Sequence, residues 1–550
     1  MLTRQNIFSY EPNPEYSKSV AYFSMEFAID QALKIYSGGL GFLAGSHLRS
    51  AYQLKQNMIS IGILWKYGYY DQGWDVNAHM KANYIEKNYS FLVDTGVQFT
   101  VEVHSSPVHV KAYLLKPEIF GTAPLFLLST DVPENDDLSK SITQRLYFSN
   151  ESTRIAQSII LGTGGAKLLD ILNLTPEIYH MNEGHSVSLN FYLYAKFQNL
   201  YEVRKRVVFT THTPEAAGNE EHSFAKLKEM SFFYHMQDHE VKHILGIQGD
   251  NFNYTLAALK FAKEANAVSV LHGQVAKDMW KGNQGTCNIT SITNAQNKSF
   301  WADPVLEQAI AKDDNEGISN RKKHLKKLLF KEVADQTGKL FDENVLTLVW
   351  ARRFAGYKRA NLIMYHWDRF LNLVHNSKFP IQIIWAGKPY PEDYNAIGIF
   401  NHIINRIKPL KNCAVLTGYE LELSALLKKG SDVWLNNPRL YREASGTSGM
   451  TAAMNGSINF SIPDGWIPEF ARHKENCFLI EPADGHFSPE EKDKQEALHL
   501  IEMLELDILP TYYQNQKKWL SIIKRAAKDV SPAFESGRMA KEYYEKMYSA

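Results

Sequence analysis

In the second half of the chain, apolar positions gather into short runs rich in β-branched and aromatic residues, at 346–354, 381–387, 413–418, 433–436 and 457–462. The stretches between them, near 360–376, 394–407, 421–430 and 447–455, read as helices. Strands alternating with helices at this spacing predict βαβ units on a parallel sheet. The first half carries the same signal less regularly. Strands are expected at 19–27, 58–64, 178–181 and 206–211, and helices near 42–55, 150–172 and 256–280. A block at 89–130, rich in Val, Phe and Leu, alternates and suggests a β excursion from the main sheet. The polar stretch before Ala302-Asp303-Pro304 places a domain break near 295–305. Two α/β halves predict a cleft between them, with ligands beyond the carboxyl ends of the strands. The basic stretch from Arg321 to Lys327 is expected to be the solvated face of an amphipathic helix.

Composition narrows the class. The 550 residues include 60 Lys and Arg against 60 Asp and Glu, so charge cancels, and a dedicated nucleic-acid binder normally needs a basic face. Hydrophobic residues make up 44% and aromatics 12%, enough for large cores and too many for a disordered chain. No apolar run has bilayer-spanning length, and residues 1–12 lack the apolar core of a secretory leader, so no membrane partner and a cytoplasmic location are expected. The three cysteines, Cys287, Cys413 and Cys477, lie too far apart for a disulfide framework or a thiolate metal site.

Candidate chemistry sits in five segments. Ser37-Gly38-Gly39-Leu40-Gly41 precedes a helical stretch and reads either as an anion- or sugar-binding loop or as an ordinary tight turn. Its Gly39-x-Gly41-x-x-Ala44 string lacks the strand before it and the acidic residue after it that a dinucleotide site needs. Arg352-Arg353-Phe354-Ala355-Gly356-Tyr357-Lys358-Arg359 puts four cations at a strand-to-helix junction, as a phosphate or diphosphate site or a solvated turn would. In Glu443-Ala444-Ser445-Gly446-Thr447-Ser448-Gly449-Met450-Thr451, Ser445 or Thr447 could cap a helix whose amides cradle an anion, and Glu443 could accept sugar hydroxyls. His180-Met181-Asn182-Glu183-Gly184-His185 lacks the i, i+4 pair of a zinc helix and reads as a polar network or a substrate contact; no metal is expected. His212 ends a strand, where it is either a cleft residue or a satisfied histidine.

Taken together, these segments resemble the α-glucan phosphorylases (glycogen, starch and maltodextrin phosphorylases), of a compact bacterial type. The resemblance extends through residues 21–27, Leu271-His272-Gly273, Thr293-Asn294, Ala386-Gly387-Lys388 and Arg538-Met539-Ala540, in family order. It implies an α/β GT-B fold, two Rossmann-like domains facing a central cleft. The domains would be 1–300, with the excursion at 89–130; 301–515, carrying the phosphate site; and a helical segment, 516–550, packing back on the first domain. It also implies transfer of glucosyl units, with retention, between α-1,4-glucan ends and phosphate. Pyridoxal phosphate would act through its 5′-phosphate, and the family tends to form homodimers. By motif, Arg353 would hold the substrate phosphate, with Lys358 between it and the cofactor phosphate. Thr447 and Ser448 would hold that cofactor phosphate. Gly38, Gly39 and Leu40 would approach the transferred sugar and phosphate. Asn294, Glu443, Ser445 and Gly446 would bind glucosyl hydroxyls, and the His212 carbonyl would face the developing oxocarbenium ion. Tyr22, Trp301, Arg352 and Tyr419 would line the pyridoxal pocket.

One position departs from the pattern. The family's motif places a lysine after the methionine of this helix, and that lysine carries the pyridoxal; here the residue is Thr451. A hydroxyl forms no imine, so pyridoxal phosphate is expected to be held without a covalent bond at 451. The alternatives are a pyridoxal-independent glucosyltransferase using a sugar nucleotide, whose diphosphate would fill the same space, and an inactive glucan-binding relative.

Overall fold

The computed structural model describes residues 4–77 and 79–549. Two units emerge, one made of residues 1–70, 84–297 and 536–550, the other of 71–83 and 298–535.

In the first unit, seven parallel strands run in the order Asn288–Ser291, Glu264–Ala267, Val207–Thr210, Ile178–Asn182, Val20–Phe23, Met58–Ile63, Leu125–Ser129. Every residue of Val20–Phe23, Met58–Ile63 and Ile178–Asn182 is buried, as expected of parallel strands covered on both faces. The β-rich block is no excursion. Ser106–Leu115 and Val93–Val103 continue the same sheet antiparallel from Leu125–Ser129, and their half-buried alternation is that of an edge with one wet face. The single helix expected at 256–280 is two helices, Tyr254–Phe261 and Val270–Trp280, with the strand Glu264–Ala267 between them. Ala265 and Ala267 take sheet positions beside Phe209 and Ser291, and Ser269 caps the second helix by accepting from the His272 N–H. Alanine carries a helix signal by composition, and the tertiary context overrides it.

The second unit has six parallel strands, in the order Cys413–Leu416, Ile381–Ala386, Leu346–Ala351, Val433–Asn436, Ile458–Ser461, Cys477–Leu479. Counted along the chain this is 3-2-1-4-5-6, the doubly wound order, whose direction reverses between Leu346–Ala351 and Val433–Asn436. Helices Asn315–Thr337, Leu421–Gly430 and Ser448–Met454 contribute Leu329, Leu427 and Ala452 to a core with Val349, Ile384 and Trp434. The hairpin Asp71–Trp74 and Met80–Asn83 belongs here too, with Trp74 stacked on Phe400 and Gln72 Nε2 donating to the Gly387 carbonyl.

Two expectations need correction. The C-terminal segment does not turn back at 516: Ala526 and Val530 of helix Gln516–Ala533 pack on Met450 and Ala453 of the second unit. Only from Ser536 does the chain join the first unit, where Ser536 Oγ bonds Ser50 Oγ and the Ala540 carbonyl accepts from Gln56 Nε2. The basic stretch 321–327 is a solvated face only in part: Lys323, His324 and Lys327 are exposed, but two of its lysines turn inward. Lys322 and Lys326 are buried beside Ile318, Leu325 and Leu329 on the inner face of helix Asn315–Thr337. Lys322 Nζ donates to the carbonyls of Lys429, Ser431 and Asn455, and Lys326 pairs with Asp432 at 2.5 Å. Long aliphatic stems let these residues contribute to the core while the ammonium finds acceptors.

No helix among the described residues is long and apolar enough to cross a membrane. None of their His, Cys, Asp and Glu residues form a group of three or more placed to hold a metal.

Candidate active site

Where the strand order of the second unit reverses, the chain leaves Leu346–Ala351 and Val433–Asn436 in diverging directions, the place where such sheets bind ligands. The segments that follow these strands bring Arg352, Lys358 and Glu443 together. Lys358 Nζ lies 3.2 Å from each carboxylate oxygen of Glu443, and Arg352 Nη2 lies 3.4 Å from Oε2. Arg352 and Lys358 are buried, so this is no solvated turn. Burial alone would raise the Glu443 carboxyl, but the charges of Lys358, Arg352 and Arg353 hold it below its ordinary value. Three cations therefore act on one carboxylate. Arg352 Nη1 is buried with no hydrogen-bond partner among the described residues, a donor the protein itself leaves unsatisfied. Arg359 is not part of this group. In left-handed backbone (φ 51°), it turns to the carbonyls of Asn437 and Pro438 and to Asp493 and Glu496.

The cluster is held by backbone contacts that sequence reading missed. Gly387 has φ +148°, and a Cβ there would sit 1.9 Å from the Arg352 carbonyl oxygen. Asp464 accepts from the amides of Arg442, Glu443 and Gly465, fixing the approach to Glu443. Burial is the main reason its carboxyl is pushed up to about 6, against those amides. Gly465 runs so close to Ser445 that a Cβ would lie 2.1 Å from its carbonyl oxygen. Pro463-Asp464-Gly465 reads as a turn, and nothing in that signature says which backbone the aspartate serves.

The remaining predicted residues of this unit fall around the same segments. Gly446 takes φ +79°. Ser445 Oγ makes only a 3.4 Å contact to the Gly446 carbonyl. Thr447 is the N-cap of helix Ser448–Met454 but makes no side-chain cap bond, so capping by Thr447 or Ser445 is not observed. Ser448 Oγ accepts from Trp434 Nε1 at 3.3 Å. Thr451 is fully buried, its hydroxyl donating to the Ser448 carbonyl at 3.0 Å. Asn455 Nδ2 joins this helix to Trp301 by donating to the carbonyls of both Thr451 (2.8 Å) and Trp301 (2.9 Å). Tyr419 donates to the Ala351 carbonyl and accepts from Ser424, and burial pushes its hydroxyl up to about 12.

The first unit carries its candidates where its own strand order reverses, between Val20–Phe23 and Ile178–Asn182. Helix Gly39–Gln53 starts at the glycine loop. Gly39 is exposed, and a Cβ at Gly38 or Gly39 would meet nothing within 4 Å, so ligand approach is open. The Gly38 amide, however, is committed to Glu26 Oε2 at 3.0 Å, which leaves the helix amides of Gly39 and Leu40 as the donors of this loop. Glu183, in strained backbone at φ 72°, accepts from the His212 amide at 2.7 Å, while His212 Nε2 pairs with Asn182 Oδ1 at 2.7 Å. Burial drives the His212 ring down to about 3, so it is a neutral, fixed ring. Asn294 Oδ1 is buried without a partner among the described residues. His180 is part of a structural network, bonded to Tyr548 and Thr210. Tyr22 packs between His47 and His180.

The carbohydrate phosphorylase family matches residues 302–496, which include the cation cluster. An uncharacterized protein of Methanocaldococcus jannaschii is 46% identical over 96% of this chain and its own whole length. Maltodextrin phosphorylase of Thermococcus litoralis is 33% identical over 98% of this chain and 71% of its own. Glycogen phosphorylase of Aquifex aeolicus is 30% identical over 97% and 86%. The two doubly wound sheets are consistent with the GT-B fold of phosphorylases. On this similarity over nearly its full length, the chain belongs to the α-glucan phosphorylase family.

Proposed function

We propose that this protein is a retaining glucosyltransferase that moves glucosyl units between the ends of an α-1,4-glucan and phosphate, giving or using glucose 1-phosphate. The observation that carries the reading is the buried pair Arg352 and Lys358 around Glu443, with the exposed Arg353 adding its charge and the Arg352 Nη1 donor unsatisfied among the described residues. Such a site binds phosphate tightly because guanidinium and ammonium charges act there with little water to screen them. Arg353 would grip the substrate phosphate, and Lys358, kept in place by Glu443, would bridge toward a second phosphoryl group. In the second unit the carboxylate of Glu443 suits sugar hydroxyls, and in the first unit the Asn294 Oδ1, without a partner among the described residues, does so separately. The His212 ring, neutral and tied to Asn182, cannot donate a charge. Its part would be to hold its own backbone carbonyl beside the sugar carbon as positive charge develops there.

Pyridoxal phosphate fits this donor set, since its phosphate would balance the excess cationic charge and Trp301 and Tyr419 offer aromatic faces. When bound, its 5′-phosphate supplies the second phosphoryl group. Arg352, Thr447 and Ser448 would hold that phosphate.

The test is maltodextrin with inorganic phosphate, with and without added pyridoxal phosphate, and separately UDP- or ADP-glucose with maltodextrin. Glucose 1-phosphate that depends on the cofactor is the expected result. Consumption of the sugar nucleotide would place the chain among nucleotide-dependent transferases, and glucan binding without turnover in every mixture would make it a binding protein; either overturns the reading.

A further inference from the structure

A cavity of about 280 Å³ opens in the second unit, between helix Asn315–Thr337 and the segment 512–523. It lies at the amino ends of the central strands. Asn344 and Asp432, on its wall, precede Leu346–Ala351 and Val433–Asn436. The hydroxyl of Tyr513, also on the wall, accepts from the Leu346 amide and donates to the Pro380 carbonyl, just before Ile381–Ala386. Arg352 follows the opposite end of Leu346–Ala351, about 20 Å away along six extended residues. The cavity is therefore separate from the candidate active site.

Its wall combines aromatic rings with a few polar atoms, the usual make-up of a small-molecule pocket. Two buried lysines on it have nothing left to give, because an ammonium has three hydrogens. Lys322 spends its own on the carbonyls of Lys429, Ser431 and Asn455. Lys326 spends its own on the Val345 carbonyl, Asp432 Oδ2 and the Tyr512 hydroxyl. Asp432 Oδ2 also accepts from the Thr347 amide, whereas Oδ1 has no hydrogen-bond partner among the described residues, although the side chain is only 6% exposed. Trp519, 3% exposed, likewise leaves its indole N–H without a partner among them. Neither atom is sealed from solvent, unlike the unpartnered indole nitrogens of Trp350 and Trp466.

This set selects a ligand class. A phosphate offers only acceptors, so the spare oxygen of a buried carboxylate repels it, even with the exposed Lys323 on the same wall. A flat base calls for parallel plates, but Tyr512 stands at 80° to Tyr513 and 89° to Trp519, with ring centres 4.9 and 5.1 Å away. A sugar ring suits both features. Its hydroxyls donate to Asp432 Oδ1 and accept from Trp519 Nε1, and its C–H face packs on an aromatic ring. We propose that the cavity is a second carbohydrate site, where a glucosyl unit of an α-glucan binds remote from the reacting end. The choice of an α-glucan as the source rests on the proposed function. A glucan held here would raise the local concentration of its other chain ends.

The test soaks crystals of the full chain separately in maltotriose, glucose, inorganic phosphate and adenosine, and measures maltotriose binding in solution by calorimetry. The expected result is a maltotriose ring in the cavity, with a hydroxyl within hydrogen-bond distance of Asp432 Oδ1 and another of Trp519 Nε1. Trp519→Phe keeps an aromatic ring and removes the N–H, and should weaken this binding about tenfold. The soak of the unaltered protein needs no variant to fold. A cavity that stays empty in maltotriose, or that takes only glucose, phosphate or adenosine, overturns the site, as does Trp519→Phe binding with unchanged affinity. A filled cavity in a protein that makes no glucose 1-phosphate with or without pyridoxal phosphate overturns the proposed function and supports this site.

Discussion

Gly387→Ala is the sharpest probe of how the cation cluster is built. The added Cβ would lie 1.9 Å from the Arg352 carbonyl oxygen, with its carbon 3.0 Å away and Phe354 Cδ2 3.1 Å away. An ordinary carbon–oxygen contact is about 3.3 Å, so the two backbones must separate by about 1.4 Å. The oxygen belongs to Arg352 itself, whose amide bonds the Ala386 carbonyl, so the shift cannot be absorbed by a flexible side chain. Overpacking costs about 1–3 kcal/mol. The backbone at φ +148° lies where non-glycine residues are strained by roughly 1–3 kcal/mol more. The second unit should therefore lose about 2–6 kcal/mol, read as a lower urea midpoint. The proposed phosphorolysis should fall about a hundredfold, since misplacing a site residue by ~1 Å costs that much. Gly398→Ala is the matched control, because a Cβ there meets nothing within 4 Å and the residue is helical. If Gly387→Ala matched Gly398→Ala in both urea midpoint and rate, the close approach of these two backbones would not be what positions Arg352.

Other outcomes follow from the same geometry. Glu443→Gln removes the carboxylate between Lys358 and Arg352 and should destabilise by about 3–5 kcal/mol, because buried cations lose their partner; unchanged stability would show that the cations reach solvent. For Asp464, the folded carboxyl sits at about 6 against an ordinary 3.8. Between those values the unfolded chain ionises while the native one keeps its proton, so stability falls as pH rises from about 4 to 6, by about 3 kcal/mol, and is level above. Asp464→Asn should flatten that slope in urea titrations across pH 4–7, and a slope that persists would assign it to another group. Lys322→Met strips a donor from three buried carbonyls and should cost about 3 kcal/mol or more, measured as a lower urea midpoint; a cost under about 1 kcal/mol would mean water replaces the amine.

Much of the second unit was legible because its strands are uninterrupted runs of buried apolar residues. Val433–Asn436 matches its expected bounds, and 346–354, 381–387 and 413–418 overrun only at their carboxyl ends. Those overruns open the loops of the candidate site: the residues after Ala351 leave the sheet beside the point where the strand order reverses, and those after Ala386 run alongside them. Glu264–Ala267 was not legible, since two alanines and a capping serine carry no strand propensity and the sheet position is decided by neighbours. The burial of Lys322 and Lys326 was hidden for a similar reason. A charge pattern shows that four-residue spacing shares a face, but not that backbone carbonyls wait opposite it. In the candidate site, the motifs named Arg352, Lys358 and Glu443, while Asp464 and Asn455 come from segments with no chemical signature. Their roles arise only when helices and loops distant in sequence pack together.

The chain passes between its two units at residues 70/71, 83/84, 297/298 and 535/536. Lys18 Nζ donates to the Tyr548 carbonyl, and Tyr548 also completes the partners of His180. During synthesis, then, Lys18 and His180 emerge long before the tyrosine that partners them both. The last strand of the six-stranded sheet ends at Leu479, whereas Tyr548, which bonds His180 of the nine-stranded one, is added about seventy residues later. Loss of residues 536–548, by nonsense mutation or proteolysis, would strike the surroundings of Val20–Phe23 and Ile178–Asn182 rather than the helix just before the cut.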